Sequence, residues 1–164
     1  MKCLVFSDSH GSSYYMNRAI EMHPDAEVIF FLGDGLSDIE RVSERYPEKA
    51  FLAVRGNNDY SSVFRNSQVM KVDSITLEGK KILFTHGDLY NVKYSRSFLI
   101  GLGVREEADI VLFGHTHIPM ECYVSDAARP LYLFNPGSIS GASATYGIIN
   151  ISDAGVLFSH GSFI

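Results

Sequence analysis

Five short polar motifs carry the side chains that could do chemistry, and each follows an apolar run. They are Asp8-Ser9-His10, Gly33-Asp34, Gly56-Asn57, Thr85-His86 and Gly114-His115-Thr116-His117. Together they supply two carboxylates, one amide and four of the chain's six imidazoles. This mixture of oxygen and nitrogen donors suits divalent transition-metal ions. The chemistry that it predicts is metal-assisted hydrolysis.

The number of candidate ligands, seven in all, indicates more than one metal ion. One tetrahedral or octahedral site would not use seven protein ligands beside water. Two ions about 3.5–4 Å apart, sharing a bridging carboxylate, are typical of two-metal hydrolases. Gly-Asp and Gly-Asn are also ordinary turn dipeptides, and a single Asp-x-His or His-x-His is common by chance. Five such motifs at strand ends favour the metal site over these alternatives.

The spacing within the motifs predicts how two side chains reach one place. In Asp8-x-His10 and in His115-x-His117, an extended backbone would point both side chains to the same face. Each pair could then present two ligands to one small volume. Asp34 follows a glycine, which lets the backbone turn sharply and bring the carboxylate forward.

The first third of the chain alternates predicted strands and helices. Apolar runs predict strands at 2–6, 28–32 and 50–54, and amphipathic segments predict helices at 14–22 and 38–45. This order predicts parallel strands joined by right-handed crossovers, with helices on the faces of the sheet. Because sites in open α/β sheets form at the carboxyl ends of strands, we expect the polar motifs to converge there.

The later chain is richer in strands. Alternation predicts a hairpin of strands 69–77 and 81–84, and a helix at 94–102 is expected to end at Gly103. The remaining apolar runs predict further strands at 110–113, 120–124, 131–134, 146–151 and 156–159. No internal repeat or linker interrupts the sequence, which predicts a single α/β domain over residues 1–164, built on two sheets.

Composition and charge limit the class of partner. The chain has 164 residues, of which 46% are hydrophobic and 20% charged, and this excludes disordered and fibrous architectures. The 14 basic and 19 acidic residues give a formal net charge of −5. That charge speaks against an extended nucleic-acid groove or an anionic membrane surface. Two bound dications would offset most of it, so an anionic substrate stays compatible.

Cysteine usage and hydropathy indicate the cellular compartment in which the protein is expected. Cys3 and Cys122 lie in apolar runs outside any zinc pattern, which predicts buried free thiols in a reducing cytosol. No window is long enough for a membrane span, and the apolar N-terminal run is too short for a signal peptide. We expect a soluble, cytoplasmic protein. His23 and His160 lie outside the motifs and are expected at the surface.

With these motifs assembled, the sequence resembles the calcineurin-like metallophosphoesterase superfamily, and within it the small, cap-less bacterial and archaeal phosphodiesterase branch of the YfcE type. The resemblance extends from Asp8 to the turn Asn135-Pro136-Gly137-Ser138 and covers nearly the whole chain. It implies a four-layer αββα sandwich, in which two mixed β-sheets pack face to face and are flanked by helices. It also implies a metal-dependent phosphodiesterase that hydrolyses small phosphodiesters.

The same resemblance implies two metal sites that share Asp34. The first metal would be held by Asp8, His10, Asp34 and His117. The second would be held by Asp34, Asn57, His86 and His115. A hydroxide that bridges the two ions would be the nucleophile, since a bound dication lowers the pKa of water toward neutrality. Mn²⁺ is the expected ion, with Zn²⁺, Fe²⁺, Co²⁺ or Ni²⁺ as alternatives.

Three residues of one loop would complete the site. Asn58 stands where many relatives carry a histidine, and its amide can donate a hydrogen bond to phosphate but cannot deliver a proton. Asp59 is expected to accept a hydrogen bond from a site histidine. Arg55 is expected either to clamp phosphate or to form a structural ion pair. The expected catalytic side chains are Asp34, Asn57, Asn58, Asp59 and His86, and the expected substrate contacts are Asn57, Asn58 and Arg55.

The segment after His86 departs further from the family pattern. Asp88 stands where many relatives carry a second histidine, and it could orient an imidazole or cap the following helix. Four longer side chains follow: Tyr90, Lys93, Tyr94 and Arg96. They could line a surface that faces substrate, although an ordinary amphipathic helix face is the favoured interpretation.

Two other functions stay open. The retromer subunit that shares this fold serves as a protein-interaction scaffold, so a non-catalytic metal-binding scaffold is one alternative, although the complete ligand set favours an enzyme. A phosphomonoesterase is the other alternative, but the sequence offers no clear arginine pair for a phosphomonoester dianion. The expected partner is therefore a small-molecule phosphodiester. By resemblance, a homodimer or tetramer is also expected.

Overall fold

A computed structural model describes residues 1–163 of the chain. Its strands are β1 (Lys2–Phe6), β2 (Val28–Phe31), β3 (Ala50–Ala53), β4 (Val63–Phe64), β5 (Ser67–Gln68), β6 (Val72–Leu77), β7 (Lys80–Thr85), β8 (Ile110–Phe113), β9 (Met120–Val124), β10 (Leu131–Asn135), β11 (Thr145–Ser152) and β12 (Gly155–Ser162). Its α-helices are α1 (Tyr14–Met22), α2 (Leu36–Arg45) and α3 (Ser97–Arg105), and a 3₁₀ turn covers Asp88–Tyr90.

The strands form two mixed sheets of five. The first has the order β12-β11-β1-β2-β3, and the second has the order β6-β7-β8-β10-β9. In the first sheet, β1, β2 and β3 are parallel and are connected through α1 and α2, as the alternating sequence pattern predicted. In the second sheet, β7, β8 and β10 are parallel. β4 and β5 form a separate small hairpin.

The inner faces of the two sheets pack against each other. β1 places Cys3 and Val5 in this inner layer, together with Phe84 of β7. Leu4 and Phe6 belong to the cluster on the opposite face of β1. Because side chains alternate along a strand, the continuous apolar run of β1 can fill two layers of core at once.

Helices cover the outer face of each sheet. Met16 of α1 and Ile39 of α2 are buried in the cluster outside the first sheet. Leu99 and Leu102 of α3 are buried with Val111 outside the second sheet. The result is the predicted αββα sandwich of two mixed sheets flanked by helices, and the prediction of fold class is confirmed.

Parallel strands from both sheets end at one edge of the sandwich, and all five polar motifs lie in the loops that follow β1, β2, β3, β7 and β8. Backbone hydrogen bonds tie these loops to one another. The N–H of Asp8 donates to the carbonyl of Gly33 at 3.0 Å, and the N–H of Gly114 donates to the carbonyl of His86 at 3.0 Å. The convergence that the sequence predicted is therefore confirmed.

The helix predicted at 94–102 begins and ends later than expected. It runs over Ser97–Arg105, so Gly103 lies inside it instead of ending it. Gly103 is there because α3 packs closely on the second sheet: a Cβ at this position would lie 2.8 Å from Val111 Cγ2. The four side chains at Tyr90, Lys93, Tyr94 and Arg96 all precede α3, so their interpretation as an amphipathic helix face is wrong.

Smaller differences concern edges and turns. The strand predicted from residue 69 begins at Val72. The hairpin β4–β5 was not predicted, because two-residue strands carry almost no periodic signal. Cys3 is buried, and burial raises the pKa of its thiol to about 12. Cys122 is exposed on the edge strand β9, so the expectation that both thiols are buried is wrong.

The two histidines outside the motifs have structural partners. His160 is exposed, as predicted, and its Nε2 lies 2.7 Å from the carbonyl oxygen of Asn135 while its ring stacks on Phe134. His23 is half-buried, and its Nε2 lies 3.0 Å from the hydroxyl of Tyr146. Within residues 1–163, no helix is long and apolar enough to cross a membrane.

Candidate metal centre

The seven candidate ligands form one connected cluster at the carboxyl ends of the parallel strands. The first sheet contributes Asp8, His10, Asp34 and Asn57, and the second sheet contributes His86, His115 and His117. Two groups within the cluster place their ligand atoms within 4.8 Å of one another: Asp8, His10 and His117 in one, and Asp8, Asp34 and His86 in the other.

Asp8 lies at the centre of the cluster and is fully buried. Its Oδ2 accepts hydrogen bonds from the hydroxyl of Ser7 at 2.5 Å and from the N–H of His115 at 3.1 Å. Its Oδ1 has no hydrogen-bond partner among the described residues. A buried carboxylate oxygen without a donor is costly, and a bound cation is one way to satisfy it.

The unpartnered oxygen of Asp8 faces three imidazoles. Its distances are 3.1 Å to Nε2 of His117, 3.9 Å to Nε2 of His10 and 4.0 Å to Nε2 of His86. The Nε2 atoms of His10 and His117 are themselves 3.3 Å apart. Ring nitrogens and a carboxylate oxygen that converge in this way are an ordinary donor set for a divalent ion. The residues therefore fit a metal at this position.

His86 provides a second argument for a cation. Its Nδ1 lies 2.8 Å from the carbonyl oxygen of Leu32, which can only accept, so Nδ1 carries the proton. In the neutral ring, Nε2 is then a bare lone pair. It faces Oδ1 of Asn57 at 3.1 Å, Nδ1 of His115 at 3.1 Å and Oδ2 of Asp34 at 3.5 Å. An imidazole nitrogen, an amide oxygen and a carboxylate oxygen that converge in this way are donors that one divalent ion can bind together, so these residues fit a second metal.

Asp34 lies between the two groups and is held by the next loop. Its Oδ1 accepts the N–H of Asn58 at 2.8 Å, and its Oδ2 accepts the side-chain amide of Asn58 at 2.6 Å. Gly56 makes this approach possible, because a Cβ there would lie 2.1 Å from Oδ1 of Asp34. The Gly-Asn-Asn-Asp loop thus fits around the carboxylate that the sequence predicted as the bridge.

The backbone of the ligand motifs is not extended, contrary to the expectation from strand alternation. Asp8 and His10 nevertheless meet in one group, as predicted, whereas the expectation that His115 and His117 share one place is wrong. Five ligand positions have positive φ: Asp8 at 57°, His10 at 48°, Asp34 at 60°, His115 at 66° and His117 at 61°. Non-glycine residues in this region cost about 1–3 kcal/mol each and cluster at functional sites. The side chains of His115 and His117 consequently diverge, the first to His86 and the second to Asp8 and His10.

Asp59 differs from the expectation that it orients a histidine. Its Oδ2 accepts the N–H groups of Asp34 and Gly56, both at 2.8 Å. Its Oδ1 accepts those of Gly35 at 2.7 Å and Leu36 at 2.8 Å. Asp59 therefore joins the loop after β2 to the loop after β3, and it also satisfies a free N–H at the start of α2.

Asp38 has a similar role that the sequence analysis missed. This carboxylate is only 1% exposed. Its Oδ2 accepts the hydroxyl of Ser9 at 2.7 Å and the N–H of Gly11 at 2.8 Å, and its Oδ1 pairs with Arg41 at 2.9 Å. It thereby holds the loop that carries His10. The available signal was an acid on the face of α2 that also carries Leu36, Ile39 and Val42.

Asp88 and Arg55 have other surroundings than predicted. Asp88 forms an ion pair with Lys71 at 2.6 Å, and neither a cap nor a hydrogen bond to an imidazole is present among the described residues. Arg55 donates its backbone N–H to the carbonyl of Met70, and it forms no ion pair within residues 1–163. Its buried Nε lacks a hydrogen-bond partner there. The ion-pair alternative for Arg55 is therefore not observed.

The electrostatics of the cluster favour neutral imidazole at His115. Burial lowers the pKa of His115, and positive charge on His86 and Lys93 lowers this pKa further, against the opposing effect of Asp8 and Asp88. A neutral ring is the form that binds metals. The site therefore keeps a ligand nitrogen available near neutral pH.

A cleft of about 520 Å³ opens beside the cluster. Its lining includes His10, Asp34, Asn58, Tyr60 and Ser61. The side chain of Tyr60 is fully exposed. Ligand pockets of small organic molecules have volumes of about 300–1,000 Å³. The cleft is large enough for one arm of a small substrate next to the candidate ligands.

The fold and the ligand cluster together define a metallophosphoesterase-type protein. Residues 1–154 match the Calcineurin-like phosphoesterase superfamily domain. The chain is 33% identical over 143 residues to the probable metallophosphoesterase YsnB of Bacillus subtilis, an alignment of 85% of this chain and 75% of YsnB. It is 30% identical over 173 residues to the phosphodiesterase YfcE of Escherichia coli, covering 92% of this chain and 88% of YfcE. The chain belongs to the calcineurin-like phosphoesterase superfamily.

The fold is also shared with Vps29. A crystal structure of a single mutant of Vps29 from Entamoeba histolytica matches with a TM-score of 0.74 at 19% identity, over 100% of both chains. At this identity the likeness concerns the fold alone. Membership of the superfamily implies divalent metal ions and the chemistry of phosphoric ester hydrolysis, and the Asp and His groups described above could hold such ions.

Proposed function

We propose that this protein is a phosphodiesterase that hydrolyses small phosphodiesters with two divalent metal ions, Mn²⁺ first among them. The observation that carries the proposal is the unpartnered, buried Oδ1 of Asp8 among three imidazole nitrogens. Asp8, His10, Asp34 and His117 would hold one ion. Asp34, Asn57, His86 and His115 would hold the other, with Asp34 as the bridge.

Divalent ions bound there would supply Lewis acidity, which lowers the pKa of a coordinated water and neutralises charge on phosphate oxygens. The protein's own part is positioning. Asn58 uses one of its two amide N–H groups on Asp34 at 2.6 Å, so the other is free to donate to a phosphate oxygen. Arg55 is the proposed second contact to phosphate.

The leaving group has no proton donor in this proposal. Asn58 holds the position of the histidine that many relatives use, and an amide cannot deliver a proton near neutral pH. The cleft beside Asn58 and Tyr60 offers room for an aromatic leaving group. We therefore favour diesters with activated leaving groups as substrates.

The proposal treats residues 1–164 as one metallophosphoesterase domain. Asp8 and Asp34 follow strands of the first sheet, whereas His86 and His117 follow strands of the second. Because both sheets supply ligands to one cluster, neither sheet could form the site alone.

The experiment is a hydrolysis assay with bis(p-nitrophenyl) phosphate and p-nitrophenyl phosphate in the presence of Mn²⁺ and, separately, of EDTA. We expect Mn²⁺-dependent turnover of the diester, slower turnover of the monoester and loss of activity in Asp34→Ala and Asn57→Ala. Faster turnover of the monoester would favour the phosphomonoesterase alternative.

A non-catalytic scaffold is the second candidate, and the fold shared with Vps29 supports it. The complete set of seven ligands beside an open cleft favours the enzyme, because a substrate could reach ions held there. A wild-type protein that is inert toward both esters with Mn²⁺, Zn²⁺, Fe²⁺, Co²⁺ and Ni²⁺ would favour the scaffold.

A further inference from the structure

A second cleft is lined by loops of the second sheet, whereas loops of the first sheet line the cleft described above, and we call this second cleft the cationic cleft. It has a volume of about 240 Å³ and lies between the loop that precedes α3 and the segment that follows β8. Its lining includes Lys93, Arg96, Thr116, Ile118 and Met120. Thr116 stands between the candidate ligands His115 and His117, so the cleft directly adjoins the metal centre.

The charges of the cationic cleft are of one sign. Lys93 and Arg96 are exposed, and within residues 1–163 neither forms an ion pair. No carboxylate lines the cleft. By contrast, the neighbouring cation Lys71 is paired with Asp88 at 2.6 Å. Two cations without an acidic partner beside a phosphate site attract a further anionic group.

The larger cleft has the opposite character. Asp34, Asp38 and Asp59 line it, and no lysine or arginine does. The side of Tyr60 therefore offers no cation to a further anionic group, whereas the side of Lys93 offers two. A diester placed across the metal centre would therefore meet different charges at its two ends.

We propose that the cationic cleft binds an additional anionic group, such as a terminal phosphate, on the arm of the phosphodiester that stays opposite the leaving group. Lys93 and Arg96 contact the anion, and Ile118 and Met120 contact the organic part of the arm. The proposal rests on the proposed phosphodiesterase function and names its substrate class: small phosphodiesters with one neutral arm and one anionic arm.

The wall next to the metal centre is rigid enough to set this orientation. Thr116 Oγ1 accepts a hydrogen bond from the side-chain amide of Asn135 at 3.1 Å and from the N–H of Ile118 at 3.3 Å. Asn135 itself is buried, and its amide also donates to the carbonyl of Gly114 at 2.9 Å. The turn that separates His115 from the cleft is thereby fixed to β10.

A matched pair of substrates tests the proposal. The first is thymidine 5′-(p-nitrophenyl phosphate), and the second is the same compound with a 3′-phosphate. We expect the 3′-phosphate to lower KM by about three- to tenfold, as two exposed charge contacts allow. The ratio of the two KM values should fall to near one in Lys93→Gln/Arg96→Gln. In the wild type, the ratio should also decrease as the NaCl concentration is raised.

The control variant is Lys80→Gln/Arg129→Gln, which removes the same charge at the opposite edge of the sheets. Lys80 is the first residue of β7, and Arg129 pairs with Asp109 just before β8. This variant should keep the preference for the 3′-phosphate. A preference that falls equally in both variants would show an effect of net charge alone and would overturn the cleft as a site.

A binding measurement separates this proposal from the proposed function. Calorimetry compares thymidine 3′,5′-bisphosphate with thymidine 5′-phosphate, with and without Mn²⁺, and needs no turnover. Tighter binding of the bisphosphate that is lost in Lys93→Gln/Arg96→Gln supports the cleft, even if neither ester is hydrolysed and the phosphodiesterase proposal fails. Equal binding of both nucleotides by the wild-type protein would overturn the cleft, even if both esters are hydrolysed.

Discussion

The Nδ1 atom of His86 donates a hydrogen bond of 2.8 Å to the carbonyl oxygen of Leu32, and this bond crosses from one sheet to the other. Leu32 directly follows β2 of the first sheet, and His86 directly follows β7 of the second. The bond sets the tautomer of the imidazole, so that Nε2 offers a lone pair to the cluster. The packing of the two sheets thereby prepares a ligand before any metal binds.

The effect of Asp8→Asn on the stability of the protein should change sign when metal is added. Without metal, we expect the variant to be at least as stable as the wild type, because its side-chain amide can donate to an imidazole nitrogen where the wild type has an unpartnered buried oxygen. Mn²⁺ at a hundred times its Kd should stabilise the wild type by about 2.7 kcal/mol. The variant should gain much less. Thermal unfolding with EDTA and with Mn²⁺ measures both effects.

The control for that variant is Asp25→Asn, since Asp25 is exposed and pairs with Lys2 at 2.8 Å, away from the cluster. It should keep the full Mn²⁺ effect. A metal-free Asp8→Asn protein that is strongly destabilised, yet gains as much from Mn²⁺ as the wild type, would contradict the role given to Asp8.

Gly56→Ala should abolish activity and lower the free energy of unfolding by about 1–3 kcal/mol. The new Cβ would lie 2.1 Å from Oδ1 of Asp34, so either the loop after β3 or the bridging carboxylate must move. The matched control is Gly101→Ala on the exposed face of α3, where a Cβ meets nothing within 4 Å. That change should stabilise the helix by about 0.5–1 kcal/mol. Urea unfolding and the diester assay distinguish the two variants.

Asp59→Ala should lower the free energy of unfolding by about 2–4 kcal/mol, because four backbone N–H groups lose a charged acceptor. It should also weaken the binding of Mn²⁺, since the loops of Asp34 and Gly56 lose the carboxylate that holds their backbones together and keep only the hydrogen bonds of Asn58 to Asp34. Asp153→Ala, in the exposed turn after β11, is the control and should change neither quantity. Full Mn²⁺ affinity in Asp59→Ala would contradict the positioning role.

The amide at position 58 predicts a strong dependence on the leaving group. Aryl phosphodiesters should react much faster than alkyl phosphodiesters, because no side chain there protonates the departing oxygen. Asn58→His should raise the alkyl rate by about 10²-fold, the lower end of general acid catalysis. Initial rates with a series of leaving groups of rising pKa measure the dependence. Comparable rates for both classes in the wild type would refute it.

The sheets and the location of the site could be predicted from the sequence because the parallel strands are buried on both faces. Runs such as Lys2–Phe6 and Ile110–Phe113 are continuously apolar and end abruptly at polar motifs, so both the strands and their carboxyl ends are visible. Helix boundaries were less predictable. Gly103 is normally a sign of a helix end, but here close packing on Val111 requires it inside α3.

The detailed geometry of the site could not be predicted, because it depends on tertiary contacts. The left-handed backbone at His115 and His117 sends the two side chains to different partners, whereas periodicity assumes an extended segment. The partners of Asp59 and Asp38 are mostly backbone N–H groups from other loops. Because every residue except proline has such a group, the residue types do not show which ones are partners. The acids and histidines of the site could be identified from the sequence. Only the structure shows which of them face the cluster as candidate ligands and which hold the surrounding loops in place.

The count of metal ions per chain tests the central claim most directly. Protein loaded with Mn²⁺, freed of excess ion by gel filtration and analysed by mass spectrometry of the metal, should contain two ions per wild-type chain. Asp34→Ala should contain fewer than one, since it loses the ligand that both sites share. A single ion in the wild type, or a count that Asp34→Ala leaves unchanged, would contradict a dinuclear centre bridged by Asp34.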